Sequence, residues 1–187
     1  MAISKITGSA LGKDVIMKDV ATADGSSPTL TLQTGDTNIE ANDVLGSINF
    51  QAPDEGTGTD AILVAAGISA ISEGDFSSSN NATKLSFKTG ASEAASEKMS
   101  LSSGGNLTII SNDAGAGAGP VFKFRRNSSS PADNDLIGAI DWTSENSDGN
   151  EHDFLNLTAR MRDVTAGSED VSYAWTAYLN GTGREIQ

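Results

Sequence analysis

Two stretches of the chain decide its fold: Val44-Leu45-Gly46-Ser47-Ile48-Asn49-Phe50 and Leu136-Ile137-Gly138-Ala139-Ile140-Asp141-Trp142. Each is apolar at nearly every inward position of a period of two, which is the pattern of a β-strand with one buried face. Each also has glycine as its third residue, where the missing side chain relieves crowding or seats a β-bulge. The two stretches therefore predict equivalent strands in two related β-modules.

The similarity extends beyond these two strands. Residues 28–50 align with residues 120–142 without a gap at an offset of 92, and Phe87-Lys88-Thr89-Gly90 aligns with Tyr178-Leu179-Asn180-Gly181 at an offset of 91. The identical pairs include Pro28/Pro120, Asp43/Asp135, Gly46/Gly138 and Ile48/Ile140. Chance likeness between two Gly/Ser-rich strands is the alternative to duplication. Duplication is favoured because the alternation, the glycine and the aromatic position agree together.

The repeat divides the chain into four parts: a leader (1–24), a first β-module (25–110), a Gly/Ala connector (111–119) and a second β-module (120–187). Alternating Gly and Ala make the connector a candidate hinge. Further strands are expected at Thr29–Leu32, Lys84–Lys88, Asn106–Ile110, Val121–Phe124 and Tyr173–Leu179. Segments 13–20 and 92–99 fit short helices or turns equally well. The fold class is therefore all-β, with two tandem antiparallel β-sandwich-like modules and an N-terminal leader.

The composition favours an oligomer. Only 37% of the residues are apolar and 5% are aromatic, which is little for a monomeric core of this length, yet β-branched residues continue throughout and argue against disorder. Both observations are reconciled if neighbouring chains complete small β-rich cores.

Charge and cysteine content exclude several functions. With 12 Lys and Arg against 25 Asp and Glu, the formal charge of −13 repels nucleic acids and anionic lipids. The absence of cysteine removes disulfides, thiol catalysis and thiolate metal sites. Met1–Lys5 shows no signal-peptide h-region, and the apolar run Ala61–Ala66 is too short to span a membrane, so neither a signal peptide nor a membrane anchor is expected.

The acidic segment Ser144–Asp153 is the best metal candidate, but it fails the calcium-loop template at positions one and twelve. A weak site built from Asp148, Glu151 and Asp153 remains the alternative to a solvated loop between strands. His152 is the single histidine and has no second imidazole or thiol partner. We therefore predict no catalytic residue, no metal and no cofactor.

Two further groups of side chains lie at strand spacing. Tyr173 and Trp175 share one face of a strand while Tyr178 takes the other, which favours core or subunit-interface packing over a receptor platform. Arg160 and Arg162 also share a face, where pairing with acidic residues of a neighbouring chain is favoured over binding of a receptor anion.

The succession of these strands and turns resembles modules of tail-fibre proteins of tailed bacteriophages, especially those of marine and cyanobacterial viruses. The stretches that show the resemblance are 43–52, 65–70, 84–90, 97–101 and 104–109, with a second copy in 135–142, 158–163 and 177–181. The resemblance covers about 150 residues but contains no catalytic signature. A distal tip or self-cleaving chaperone segment, usual in such fibres, is not recognised, which leaves a short fibre, an adaptor or a capsid decoration protein as options.

The resemblance implies an intertwined homotrimer that is assembled in the host cytoplasm, is part of the virion and takes part in host attachment. Other virion proteins of the tail or capsid are then its partners, and a host surface glycan is a further candidate. The leader is expected to dock onto the virion, since its apolar residues have no module core to enter. These residues are Ile3, Ile6, Leu11, Val15, Ile16, Met17 and Val20. The alternative is that they cap the sheet of the first module or form a bundle with the same residues of the trimer mates. The alternatives are a capsid decoration or head-fibre protein, and a carbohydrate-binding module.

Overall fold

A computed structural model describes residues 24–25, 27–52, 58–179 and 181–186. The chain divides into two compact units, Met1–Pro120 and Val121–Gln187. Each unit contains one antiparallel sheet whose strands follow one another in chain order. The all-β prediction with two antiparallel units is therefore confirmed. The number of layers differs from the predicted sandwich-like modules. Each unit has one sheet, and the described residues of neither unit form a second sheet against it.

The first unit is a five-stranded meander. Its strands are β1 Val44–Gln51, β2 Val64–Ser72, β3 Thr83–Thr89, β4 Ser96–Leu101 and β5 Leu107–Ile109. A single 3-10 turn, Asp60–Ile62, is the only helix of the described ranges. The region 92–99 is therefore not helical, because its second half pairs with β3 as β4.

The second unit is a four-stranded meander. Its strands are β6 Leu136–Glu145, β7 Glu151–Asp163, β8 Asp170–Leu179 and β9 Thr182–Ile186. The strands β6 and β7 are joined by the acidic segment, which forms a hairpin.

The entry into the first strand of each sheet is built in the same way. Asn42 and Asn134 have φ of 77° and 69°, in the left-handed region that asparagine tolerates better than most residues. The following aspartates, Asp43 and Asp135, each accept a hydrogen bond on Oδ2 from the backbone N–H three residues earlier, at 2.7 and 3.1 Å. The predicted equivalence of these two aspartates is confirmed.

The glycines of the repeat also occupy equivalent places. A register shift separates Val44 from Gly46 in β1, and a matching shift separates Leu136 from Gly138 in β6. A second pair of shifts follows Phe50 and Trp142. The sequence repeat thus corresponds to one strand with two irregularities, present twice.

The offset of 91 between Phe87 and Tyr178 is wrong. Phe87 pairs with Ile68, whereas in the second sheet the corresponding partner, Leu157, pairs with Trp175. Trp175 therefore takes the place of Phe87. The connections between strands differ in length in the two units, so that one offset does not persist past the first strand.

Two predicted strands are absent. Thr29–Leu32 and Val121–Phe124 pair with no strand of the described sheets. Leu32 instead lies over Gly46, and Phe124 lies over Gly138, on the face of the sheet. Their alternation reflects this contact with an apolar surface rather than membership of a sheet.

Candidate functional site

One face of the first sheet is apolar across all five strands. Directly paired residues of neighbouring strands share a face, so the register defines rows that cross the sheet. One row contains Ile48, Ile68, Phe87, Met99 and Ile109, and the next contains Gly46, Ala70, Leu85, Leu101 and Leu107. These two rows form the apolar face of the first sheet, and neither has a charged residue.

This apolar face is open to solvent. Ile48 is 44% exposed and Leu107 is 58% exposed, and no large apolar residue of the described part of the chain is buried. A contiguous apolar surface of this kind marks an interaction site rather than ordinary surface.

The second sheet has a matching apolar face. Its rows contain Ile140, Leu157 and Trp175, then Gly138, Ala159 and Tyr173, then Trp142, Leu155, Ala177 and Arg184. Trp142 stacks on Trp175, with ring centroids 6.1 Å apart and planes 17° from parallel. Both indoles are partly exposed, at 45% and 39%. The stacked pair therefore forms an aromatic cluster on this face, to which Tyr173 also belongs.

The predicted distribution of Tyr173, Trp175 and Tyr178 over two faces is what the register shows. Tyr173 and Trp175 belong to the apolar face, whereas Tyr178 lies opposite, 5.5 Å from the His152 ring. Sequence reasoning did not include Trp142 among the candidate aromatic site residues. Its position in the alternating stretch 136–142, equivalent to Phe50 of the first copy, could have indicated that it lies on the apolar face.

The polar face of the first sheet carries a row of small hydroxyl residues: Ser47, Ser69, Ser86, Ser100 and Thr108. Ser69 is 2% exposed and Ser86 is fully buried. The Lys84 Nζ lies 3.0 Å from the Glu97 carboxylate. Because Lys84 and Glu97 stand on opposite sides of the serine row along the strands, this ion pair crosses the row and covers it.

Glu97 is held in its ionised form. Burial raises the pKa of Glu97, but the nearby hydroxyl groups of Ser86 and Ser100 and the Lys84 ammonium group, 3.0 Å away, together lower it further than burial raises it. The net pKa lies below the ordinary value of 4.5. The ion pair therefore contributes to the stability of this face at neutral pH.

Arg160 and Arg162 share the polar face of the second sheet, as their spacing predicts. Arg160 donates to the backbone carbonyl of Asn134, and Arg162 donates from Nη1 to Asn134 Oδ1 at 2.8 Å. Arg162 Nε also donates to Ser172 Oγ at 2.7 Å. The Asn134 turn thus orients two guanidinium groups.

The acidic segment forms a tight hairpin turn. Asn146 Oδ1 accepts from the backbone N–H groups of Asp148 and Asn150, at 2.9 and 3.1 Å, and Gly149 has a φ of 77°. Within the described ranges no group of three or more His, Asp and Glu is placed to hold a metal ion. The Asn146 side chain therefore organises the backbone of this turn.

Several predictions concern residues outside the described part of the chain. The leader residues expected to dock onto the virion and the segment 13–20 belong to this group. In the ranges that the structure covers, no helix has the length and apolar character needed to cross a membrane.

Comparison with known proteins gives likeness of structure only. No family matches the sequence, and no curated protein matches it. Two similar structures are carboxy-terminal domains of the bacteriophage T5 L-shaped tail fibre. The first, solved with its intramolecular chaperone domain, has 12% identity and a TM-score of 0.46, covering 92% of this chain and 58% of that chain. The second has 13% identity and a TM-score of 0.46, covering 92% of this chain and 86% of that chain.

Proposed function

We propose that the chain is a non-enzymatic structural protein of a tailed-phage virion, a homotrimeric tail-fibre or fibre-adaptor protein that takes part in host attachment. The observation that carries this proposal is the open apolar face of both sheets. A sheet with one apolar face needs a second layer, and the described residues of each unit supply none.

Copies of the same chain are the partners that fit best. The two units present apolar faces of the same design, with the same glycine in the same register. In a closed homo-oligomer every copy contributes the apolar faces of both its sheets. Apolar contacts between equivalent sheets of neighbouring copies can therefore cover the first and the second sheet in the same way. Arg184, on the edge strand β9, is the one charged residue in the rows named above. The strand motifs resembling tail-fibre modules support a trimer on a virion.

This proposal gives the aromatic residues and the modules their roles. Tyr173, Trp175 and Trp142 pack in the subunit interface, whereas Tyr178 faces away from it. The modules at 25–110 and 120–187 project from the virion, the connector 111–119 joins them, and the leader 1–24 attaches them to the particle.

Gold labelling tests the location. Virions of the phage that encodes the chain are incubated with an antibody raised against residues 25–187 and a gold-conjugated secondary antibody, then imaged by electron microscopy. Gold on the tail supports a fibre or adaptor, and gold on the capsid shows a decoration protein instead. Particles that contain no chain by immunoblot would overturn the virion assignment.

A further inference from the structure

The polar face of the second sheet contains a hollow of about 320 Å³. It is lined by Thr158, Arg160, Arg162, Ser172, Tyr173, Thr176 and Glu185, and Ala174, between Ser172 and Thr176 on β8, lies at its floor. We call it the arginine hollow. Its volume is at the lower end of the range for small-molecule sites.

The first sheet explains why this hollow is open. The register places Ser172 where the first sheet has Lys84, Ala174 where it has Ser86, and Glu185 where it has Glu97. In the first sheet the Lys84–Glu97 ion pair, at 3.0 Å, closes over the serine row. Serine is too short to reach across in the same way. The second sheet thus keeps the acidic residue, Glu185, but has Ser172 in place of the lysine that would cover the floor of the hollow.

The cationic end of the hollow is unusual in this chain. The formal charge is −13, yet neither Arg160 nor Arg162 forms an ion pair with a carboxylate of the described residues. Three hydrogen bonds to Asn134 and Ser172 fix the two side chains. A guanidinium carries five N–H donors, so most donors of this pair stay available to a ligand whose anionic group accepts two parallel hydrogen bonds.

The other end of the hollow has the opposite character. Thr176 lies four residues after Ser172 on β8, which at the rise of a strand places the two residues about 13 Å apart. Thr176 pairs with Glu185 of β9. Glu185 repels a second negative charge and accepts hydrogen bonds from hydroxyl groups. Thr158, between the two ends, both donates and accepts. The fitting ligand therefore has one carboxylate at one end and hydroxyl groups at the other.

We infer that the arginine hollow binds one acidic sugar unit, with its carboxylate on Arg160 and Arg162 and its hydroxyl groups toward Thr158, Thr176 and Glu185. This inference depends only on the second unit. A failure of the virion labelling would leave it untouched, and its own failure would leave the virion proposal untouched.

Ligand titration tests the chemistry. The full chain is titrated with methyl β-D-glucuronide, with methyl β-D-glucoside and with sodium acetate, and binding is followed by saturation-transfer NMR. Saturable binding of the glucuronide, with at least tenfold weaker binding of both other probes, supports the inference. Equal binding of acetate shows a site for any small anion, and equal binding of the glucoside shows that the arginines are not used. Either result, or the absence of binding by all three probes, overturns it.

Three variants locate the site. Arg162→Gln is expected to weaken glucuronide binding at least tenfold, while Arg125→Gln, which removes the same charge outside the hollow, leaves it unchanged. Ser172→Lys introduces the residue that the first sheet has at the corresponding position. The lysine is expected to pair with Glu185 and cover the hollow, so that binding is abolished even though a positive charge is added. Equal losses in both arginine variants, or tighter binding by Ser172→Lys, would show nonspecific attraction. Unchanged circular dichroism and Tm confirm that each variant is folded.

Discussion

Single residues set how closely the segment before each sheet approaches it. A Cβ atom added to Gly46 would lie 2.8 Å from Leu32 Cβ, closer than carbon atoms pack, whereas one added to Gly138 would lie 3.4 Å from Phe124 Cβ. Neither glycine has a positive φ. Glycine is therefore required at position 46 by the close approach of Leu32, whereas at position 138 an added Cβ would lie near ordinary van der Waals distance from Phe124.

This difference predicts unequal effects of the same substitution. Gly46→Ala must displace Leu32 or the strand and is expected to lower the free energy of unfolding by about 1–3 kcal/mol. Gly138→Ala needs a shift of a few tenths of an ångström and should cost clearly less. Urea unfolding of both variants at equal protein concentration measures the two values, since oligomer stability depends on concentration. Equal losses would contradict the role given to Leu32.

At the level of strands, alternation predicted the pattern of faces but not the pairing. It located β1, β3, β6 and β8, because one side of each strand is apolar along its length. It also predicted strands at 29–32 and 121–124, where Leu32 and Phe124 touch the sheet without joining it. Alternation with a period of two therefore indicates that a segment contacts an apolar surface. It does not indicate whether the segment pairs with another strand.

The candidate sites show the same limit. That Arg160 and Arg162 share a face follows from spacing alone, and the structure shows it. The hollow beside them depends on Ser172 and Glu185, which belong to different strands. Only the register of three strands brings these residues together, so no local pattern in the sequence indicates the hollow.

The Lys84–Glu97 ion pair makes the stability of the first sheet dependent on pH. Because the folded-state pKa of Glu97 lies below 4.5, its contribution to stability is present above that value and is lost as pH falls through the folded pKa. Glu97→Gln is expected to lower the unfolding free energy at pH 7 and to reduce its loss between pH 5 and pH 3. Urea unfolding across this interval measures both slopes.

Glu151→Gln, in the exposed hairpin of the second sheet, is the control because it removes the same charge. Other carboxyls whose pKa is lowered by hydrogen bonds away from this ion pair, Asp163 and Glu169 among them, are present in all three proteins and contribute equally. An acid-side slope of Glu97→Gln equal to that of the native chain would show that the ion pair does not stabilise the sheet.

For the whole molecule, the apolar faces decide whether the chain is stable alone. Each unit places most of its large apolar side chains on one side of a single sheet, where they remain partly exposed. Burial of apolar surface is the main favourable contribution to folding. A stable native state therefore requires that something cover these faces, and in the proposed homotrimer the other copies of the chain would supply that cover.

Neighbouring residues on the edge strand β5 test this cover directly. Leu107 belongs to the apolar face and is 58% exposed, so lysine at this position costs little within one chain. Thr108 is also exposed and points to the polar face. Symmetry brings three copies of residue 107 into the proposed interface, where an unpaired charge in each is strongly unfavourable.

Light scattering should therefore give about 58 kDa, three times 19.2 kDa, for the native chain and Thr108→Lys. Leu107→Lys should shift toward the single-chain mass, and a folded native monomer or an intact Leu107→Lys trimer would mean that another surface covers the sheets.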